Sequence, residues 1–210
     1  MLILVLSVLT LVSGALTIYA KYRPSKRLEY VFKPLTMFWI ILIVVLDDDT
    51  VSANYQAFIL AGLLASLAGD VFLMLPSDRL MQGLISFLGA HILYSLGFAL
   101  ESDGLAPLWY LTPFALYGAI MLWQLWRFLG PMRLPVIIYV AAILVMASLA
   151  ANRWITTDAP RSLWALVGAY LFVMSDSVLA VERFRGSFRS AAFWVLSTYF
   201  LAQWLIALSV

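Results

Sequence analysis

The chain reads as an all-α, polytopic membrane protein built as a bundle of eight transmembrane helices. Three observations predict that class. Of its 210 residues, 64% are hydrophobic and only 11% charged, and mean hydropathy is +0.99, a balance outside the range of water-soluble domains. The apolar runs are continuous, whereas strands of a membrane β-barrel alternate apolar and polar residues. Finally, the runs recur along the whole chain with short gaps, which leaves room for one membrane domain, 1–210, and no soluble one.

A helical span needs about 20 apolar residues. Eight segments approach that length: 1–20, 30–46, 52–76, 80–100, 106–129, 133–151, 161–182 and 188–210. The first follows Met1 directly, lacks a basic leader and precedes Lys21, Arg23, Lys26 and Arg27. It reads as a spanning helix rather than a cleaved signal. The second is the shortest, and Lys33 and Pro34 open it at the membrane surface. The breaks carry turn and charge signals: YRPSKR, DDDT, PSD, ESDG, LGPMR, NRWITTDAP and ERFRGS. Trp39, Trp109, Trp123, Trp126, Trp154 and Trp164 read mostly as interfacial anchors or lipid-facing bulk.

With eight spans, the odd connections and their helix ends hold 11 of the basic residues. The other side holds 2, Arg153 and Arg161. Positive charge marks the cytoplasmic side, so both termini are expected on the outer, periplasmic side. Asp47, Asp48, Asp49, Glu101, Asp103 and Asp158 fall on that outer side as well. Small size and minimal loops point to a bacterial inner membrane.

Asp70 and Asp176 stand inside otherwise apolar helices. A carboxylate at such depth costs several kcal/mol, from about 2.5 upward, unless it is paired, hydrated or protonated. Each aspartate precedes the cytoplasmic boundary by seven residues, to Ser77 and to Arg183, or roughly 10 Å at helical rise. Two carboxyls at one depth can meet across a bundle. Gly62 and Gly168 each precede their aspartate by eight residues. The two segments are four helices apart, which fits a parallel repeat of four plus four helices; chance in a Gly-, Ala- and Ser-rich sequence accounts for the echo as well.

Other polar groups cluster at nearby depths. Ser66 lies one turn before Asp70 on the same face and can bond it or a substrate. His91 and Tyr94 lie near mid-membrane on the fourth span. Tyr139 lies near the level of the aspartates, and Tyr199 and Gln203 share a face of the eighth span. Together they suggest a polar cavity opening toward the cytoplasm. Lys33 reads either as a ligand for a lipid phosphate or as a snorkelling, topology-setting residue. Cysteine is absent and His91 is the single histidine, so a zinc site of several imidazoles or thiolates has no ligands here.

FKPLT at 32–36, GDVFLML at 69–75, GLISFLGAHILYSLGF at 83–98, SDSVLAVERF at 175–184 and YFLAQWLI at 199–206 resemble the YhhN family, which includes the TMEM86 lysoplasmalogenases. The resemblance spans nearly the whole chain. It implies an eight-helix membrane protein that hydrolyses the vinyl ether bond of a lysoplasmalogen. The products are a fatty aldehyde and glycerophosphoethanolamine or glycerophosphocholine. The aspartates of the family's GD and SD motifs, implicated in its catalysis, correspond to Asp70 and Asp176. The chemistry fits two carboxyls. Protonating the β-carbon of a vinyl ether makes an oxocarbenium ion that water attacks. One carboxyl can donate the proton while the other, ionised, steadies the cation and takes a proton from water. No metal or organic cofactor is required. The expected partners are the lysophospholipid and the bilayer, with no nucleic acid.

Other functions remain open on sequence grounds. An intramembrane aspartyl protease carries GxGD, whereas this chain has Leu67-Ala68-Gly69-Asp70. A ceramidase-like hydrolase needs several histidines. A transporter using the same aspartates is the alternative from another class, and a scaffolding membrane protein is the third.

Overall fold

The computed structural model describes residues 1–23, 26–77, 79–157 and 159–210. Asp78 and Asp158, the latter one of the expected outer acids, lie outside the described residues, as do Pro24 and Ser25 of the first connection. The described chain is helical throughout. The helices are α1 (Leu2–Lys21), α2 (Arg27–Val45), α3 (Ala53–Met74), α4 (Leu80–Leu100), α5 (Thr112–Leu125), α6 (Arg133–Thr156), α7 (Ser162–Phe184) and α8 (Ala191–Leu208). Short 3₁₀ turns, Leu108–Leu111 and Gly130–Met132, flank α5.

Among the described residues, seven helices are long and apolar enough to cross a membrane, and α5 is the exception. The fifth span expected at 106–129 is an α-helix of only 14 residues, about 21 Å long. The reason is proline. Pro113 occupies the first turn of α5, where its missing N–H costs nothing, but it cannot continue a helix begun upstream. At the other end Gly130, with a positive φ of 49°, and Pro131 turn the chain into α6. The 3₁₀ turn before α5 adds about 8 Å, so the two together approach the hydrocarbon thickness of about 30 Å.

α2 begins at Arg27 rather than near residue 30. Lys33 therefore lies nearly two turns inside the helix, buried, and does not open it at the surface as the sequence suggests. α3 starts where Ser52 caps it, its hydroxyl accepting from the Tyr55 N–H. α7 stops where Gly186 adopts φ 132°, a conformation that side-chain-bearing residues avoid.

Six helices close a ring. α2 packs on α3, α3 on α4, α4 on α6, α6 on α7, α7 on α8, and α8 back on α2. α1 packs outside against α2 and α8, and α5 against α6 and α7. The tightest pairs are α3 with α4 and α7 with α8, and glycine makes both possible. A Cβ on Gly62 would overlap the Tyr94 ring. One on Gly168 would sit 2.8 Å from Ile206 and 2.9 Å from the Ala202 carbonyl. Small residues permit this approach, and dispersion contacts between helices then replace contacts with lipid.

The outward faces of the long helices are apolar. Leu4, Leu11, Val31, Phe38, Leu64, Ile85, Ile92, Leu134, Val145 and Tyr170 are all exposed, a coat that suits hydrocarbon rather than water. Trp109, Trp123, Trp126, Trp154 and Trp164 point outward, while Trp39 packs against the core. This is an integral membrane protein.

One end of the bundle carries a polar cavity, described below. At the other end Val210 accepts a hydrogen bond from the Val51 N–H, and Arg161 pairs with Asp47 at 2.9 Å. Arg153, which the sequence places in a connection, instead belongs to the last turns of α6 and is 1% exposed. Its guanidinium lies 4.2 Å over the Tyr55 ring and donates to the Tyr55 hydroxyl at 2.6 Å.

Candidate active site

Asp70 sits in the last turns of α3, buried to 1% exposure. Its Oδ1 is 2.9 Å from Lys33 Nζ on α2. Its Oδ2 accepts from the Tyr199 hydroxyl on α8 at 2.7 Å. Burying a lone carboxylate here would cost several kcal/mol, and an ammonium plus a hydroxyl offsets that cost. Ser66, one turn earlier, is buried but is not among the groups holding Asp70; it lies beside Tyr94.

Asp176 on α7 is held differently. Its Oδ2 accepts from the Tyr139 hydroxyl on α6 at 2.5 Å and lies 3.5 Å from His91 Nε2 on α4. His91 Nε2 is also 3.1 Å from the Tyr139 hydroxyl. The histidine is fully buried, and among the described residues its Nδ1 has no hydrogen-bond partner and no lysine pairs with Asp176.

The two aspartates belong to one arrangement. Asp70 and Asp176 are 106 positions apart, as are Gly62 and Gly168, and so are Lys33 and Tyr139. Each aspartate is thus held from the helix before it by residues at equivalent positions, Lys33 in one half and Tyr139 in the other. Each is also met by the last helix of the opposite half: Tyr199 of α8 reaches Asp70, and His91 of α4 reaches toward Asp176. The halves are interlocked at the site, and the lysine-for-tyrosine difference breaks their symmetry.

Both aspartates line one cavity of about 670 Å³ at the end of the bundle where α1, α3 and α7 finish. Lys33, Arg79, Glu182, Arg183 and Tyr199 also line it. Arg79 and Arg183 are basic groups at a cavity wall that sequence reading treats only as topology markers. An aromatic cluster connects Tyr199, which holds Asp70, to His91 beside Asp176. Phe87 meets Tyr199 edge-on at 5.9 Å and Phe172 at 6.2 Å, and Phe172 lies 4.8 Å from His91. These two phenylalanines escape sequence reading because nothing distinguishes them from packing residues. The one available signal is Gly69, which lets the Phe87 ring approach to within 2.7 Å of where a Cβ would be.

Tyr94 and Gln203 lie deeper. The Tyr94 hydroxyl donates to Gln203 Oε1 at 2.7 Å, and both are fully buried. They form a floor beneath the aspartates rather than part of the cavity wall. Of the residues singled out from sequence, the structure gathers Lys33, Asp70, Tyr199, Asp176, Tyr139 and His91 around the two carboxyls. It sets Ser66, Tyr94 and Gln203 one layer below.

An apolar crevice adjoins the polar cavity. Asp176, Phe87, Leu73, Leu179 and Arg183 line both. The remaining crevice wall comes from α4, α5, α6 and α7, with Leu84, Met121, Val136, Val140 and Ile143 among its residues. A charged mouth, two carboxyls and an apolar slot therefore follow in sequence, an arrangement able to hold a molecule with an ionic head and a hydrocarbon tail.

Comparison with known proteins agrees with this architecture. A model of the YhhN family matches residues 28–210. The chain is 33% identical to "Uncharacterized membrane protein YhhN" of Escherichia coli O157:H7 over 199 residues, 94% of each chain. It is 32% identical over 171 residues to "Lysoplasmalogenase TMEM86B" of Sus scrofa, covering 80% of this chain and 70% of that one. Against "Lysoplasmalogenase TMEM86A" of Bos taurus it is 31% identical over 166 residues, 72% of this chain and 64% of that one. No solved structure matches. The family match over nearly the whole length, together with the bacterial relatives that align from end to end, shows that this chain belongs to the YhhN family.

Proposed function

We propose that the protein hydrolyses the vinyl ether bond of lysoplasmalogens, releasing a fatty aldehyde and a glycerophospho-alcohol. The observation that carries this reading is the shared placement of Asp70 and Asp176 on a polar cavity that opens into an apolar crevice at Asp176. Relatives named as lysoplasmalogenases support the substrate class.

We assign the roles from the unequal surroundings. Asp70 carries an ammonium and a hydroxyl on its two oxygens, the setting of an ionised carboxylate. Asp176 borders the apolar crevice, where the alkenyl chain would bring its double bond. Asp176 gives its proton to the β-carbon, where the π pair forms the new C–H bond, and an ether-oxygen lone pair makes the oxocarbenium ion. Asp70 steadies that cation and takes a proton from the attacking water, leaving a hemiacetal. In collapse, Asp70 returns this proton to the departing glycerol oxygen, and Asp176 recovers one from the hemiacetal hydroxyl. Water is consumed and both carboxyls end as they began. Tyr139 and His91 hold Asp176 in place. The division of labour resembles that of the two carboxyls of glycosidases, which meet the same kind of cation.

Arg79 and Arg183 would face the substrate phosphate, while Lys21 at the mouth is paired with Glu29 at 2.8 Å. The ion pair with Asp70 removes Lys33 from that task as its main duty. We read the cavity end, with its basic residues, as cytoplasmic, with α5 and its 3₁₀ turn as the eighth crossing and both termini outside. An inner-membrane location follows from the same reading.

A carrier using the same aspartates is the second reading, and the repeat of two halves favours it. Discontinuous helices would support a carrier, yet α3 and α7 run unbroken past their aspartates. The test is to incubate purified protein with lysoplasmalogen and assay aldehyde, with a diacyl phospholipid as control. Aldehyde from the lysoplasmalogen alone is expected. Its absence, with substrate moved across proteoliposomes, would overturn the hydrolase in favour of the carrier.

A further inference from the structure

The apolar crevice beside Asp176 borders a further apolar space. A second apolar space of about 380 Å³ lies between α5, α6 and α7, lined by Pro113, Phe114, Leu144, Tyr170 and Met174 among others. Tyr117, Leu144 and Val173 line both spaces, so these residues form the partition between them. The Tyr117 hydroxyl is 2.6 Å from Ser177 Oγ, a bond that joins α5 to α7 one residue beyond Asp176. Tyr170 and Met174 are exposed on the bundle's outer face, so the second space opens toward the lipid.

The helix that walls this route is the least embedded of the eight. α5 has 14 residues, and among the described residues its main packing is on α6, α7 and its own 3₁₀ turn. Its closest approach to α6 is at Gly118, where a Cβ would overlap Leu144. Leu144, a member of the partition, is thus held against α5. Space, partition and wall lie in line with the carboxyl already placed at the reacting bond.

We propose that the hydrocarbon chain of the substrate runs from Asp176 through the crevice, past Tyr117 and Leu144, and into the lipid-facing groove between α5 and α7, so that the partition sets the chain length accepted. The occupant is a single alkyl chain, because the crevice shares one wall with the cavity that would hold the head group and another with the lipid-facing groove. This rests on the hydrolase reading for its activity readout only.

The partition is tested by size. Leu144→Trp closes the passage and Leu144→Ala opens it. With octenyl and octadecenyl lysoplasmalogens, Leu144→Trp is expected to lower kcat/KM for the long chain about tenfold or more relative to the short one, since apolar pockets discriminate by about 10–200-fold per group. Leu144→Ala should shift the ratio the other way and guards against a tryptophan variant that fails to fold. Equal effects on both chain lengths in both variants would overturn the proposal. A second measurement needs no turnover. A lysophosphatidylethanolamine with a diazirine at the chain terminus is photolysed with the protein in nanodiscs, and the labelled peptides are mapped. Labelling of Phe114, Tyr170 or Met174 that excess unlabelled lysophosphatidylethanolamine suppresses supports the route. Saturable labelling elsewhere overturns it, even if aldehyde is released, and so does labelling that no competitor suppresses. Competed labelling in the groove without any aldehyde release would keep the route and remove the hydrolase.

Discussion

Lys33 and Tyr139 occupy matching positions in the two halves of the bundle, and each binds the aspartate of its own half, at 2.9 Å and 2.5 Å respectively. One half thus supplies an ammonium where the other supplies a phenol. That difference makes two similar carboxyls chemically unlike, which acid–base catalysis needs.

Removing Lys33 should strike the chemistry rather than the affinity. On sequence alone Lys33 reads either as a ligand for a lipid phosphate or as a snorkelling, topology-setting residue. The buried ion pair with Asp70 predicts instead that Lys33→Met lowers kcat while KM changes little. It should also destabilise the protein by about 3–5 kcal/mol, the cost of leaving a buried charge unpaired. The double variant Lys33→Met, Asp70→Asn should recover much of that stability without recovering activity. Thermal unfolding in detergent, alongside steady-state kinetics, checks both halves of the expectation.

Tyr139→Phe deletes the hydroxyl that donates to Asp176. A hydrogen bond to an ionisable carboxyl contributes about 1.5–3 kcal/mol, so kcat should fall by about one to two orders of magnitude with the fold intact. Unchanged kcat would remove Tyr139 from the site.

Gly62→Ala places a methyl group in the Tyr94 ring. Overpacking of this kind costs about 1–3 kcal/mol, and it displaces the hydroxyl from Gln203. The variant should lose stability first, and Tyr94→Leu in the same chain should restore part of it. Stability equal to the parent would mean that α3 and α4 do not meet as closely as described.

Tyr55→Phe acts at the far end of the bundle. It leaves the Arg153 guanidinium over the ring but deletes its hydroxyl partner. A loss of about 1–3 kcal/mol in stability is expected, with turnover of the folded fraction unchanged. A change in turnover would show that this end is coupled to the site.

Much of the fold is legible in the sequence because apolar length is a direct measure of what a bilayer accepts, and seven of the expected segments correspond to long helices. The fifth escapes for a local reason. Hydropathy sees one continuous apolar run through 106–129, but Pro113 near its start and Gly130-Pro131 at its end set where an α-helix can form. Arg153 escapes because a charge near a run's end looks like a loop residue, whereas burial against Tyr55 is a tertiary fact.

The site divides in the same way. Asp70 and Asp176 stand out because charge in an apolar helix is costly and rare. Depth along the helix is enough to bring Tyr139 to the right level, whereas His91 reads as mid-membrane and its approach to Asp176 is a tertiary fact. What sequence does not show is who touches whom. The bond from Tyr199 to Asp70 joins helices five apart in the chain, and Lys33 reads as a surface residue until α2 is seen to begin at Arg27. The common spacing of 106 shared by the glycines, the aspartates, Lys33 and Tyr139 was present in the sequence, but it acquires meaning only once each pair is seen holding its carboxyl.

The central claim is that Asp70 and Asp176 together move the protons of ether cleavage. Its most direct test is aldehyde release from lysoplasmalogen by Asp70→Asn and Asp176→Asn, each at matched levels of correctly inserted protein. Positioned acid–base groups contribute about 10²–10⁴-fold each, and both variants should lose activity on that scale. Near-parental aldehyde release by both would contradict the account.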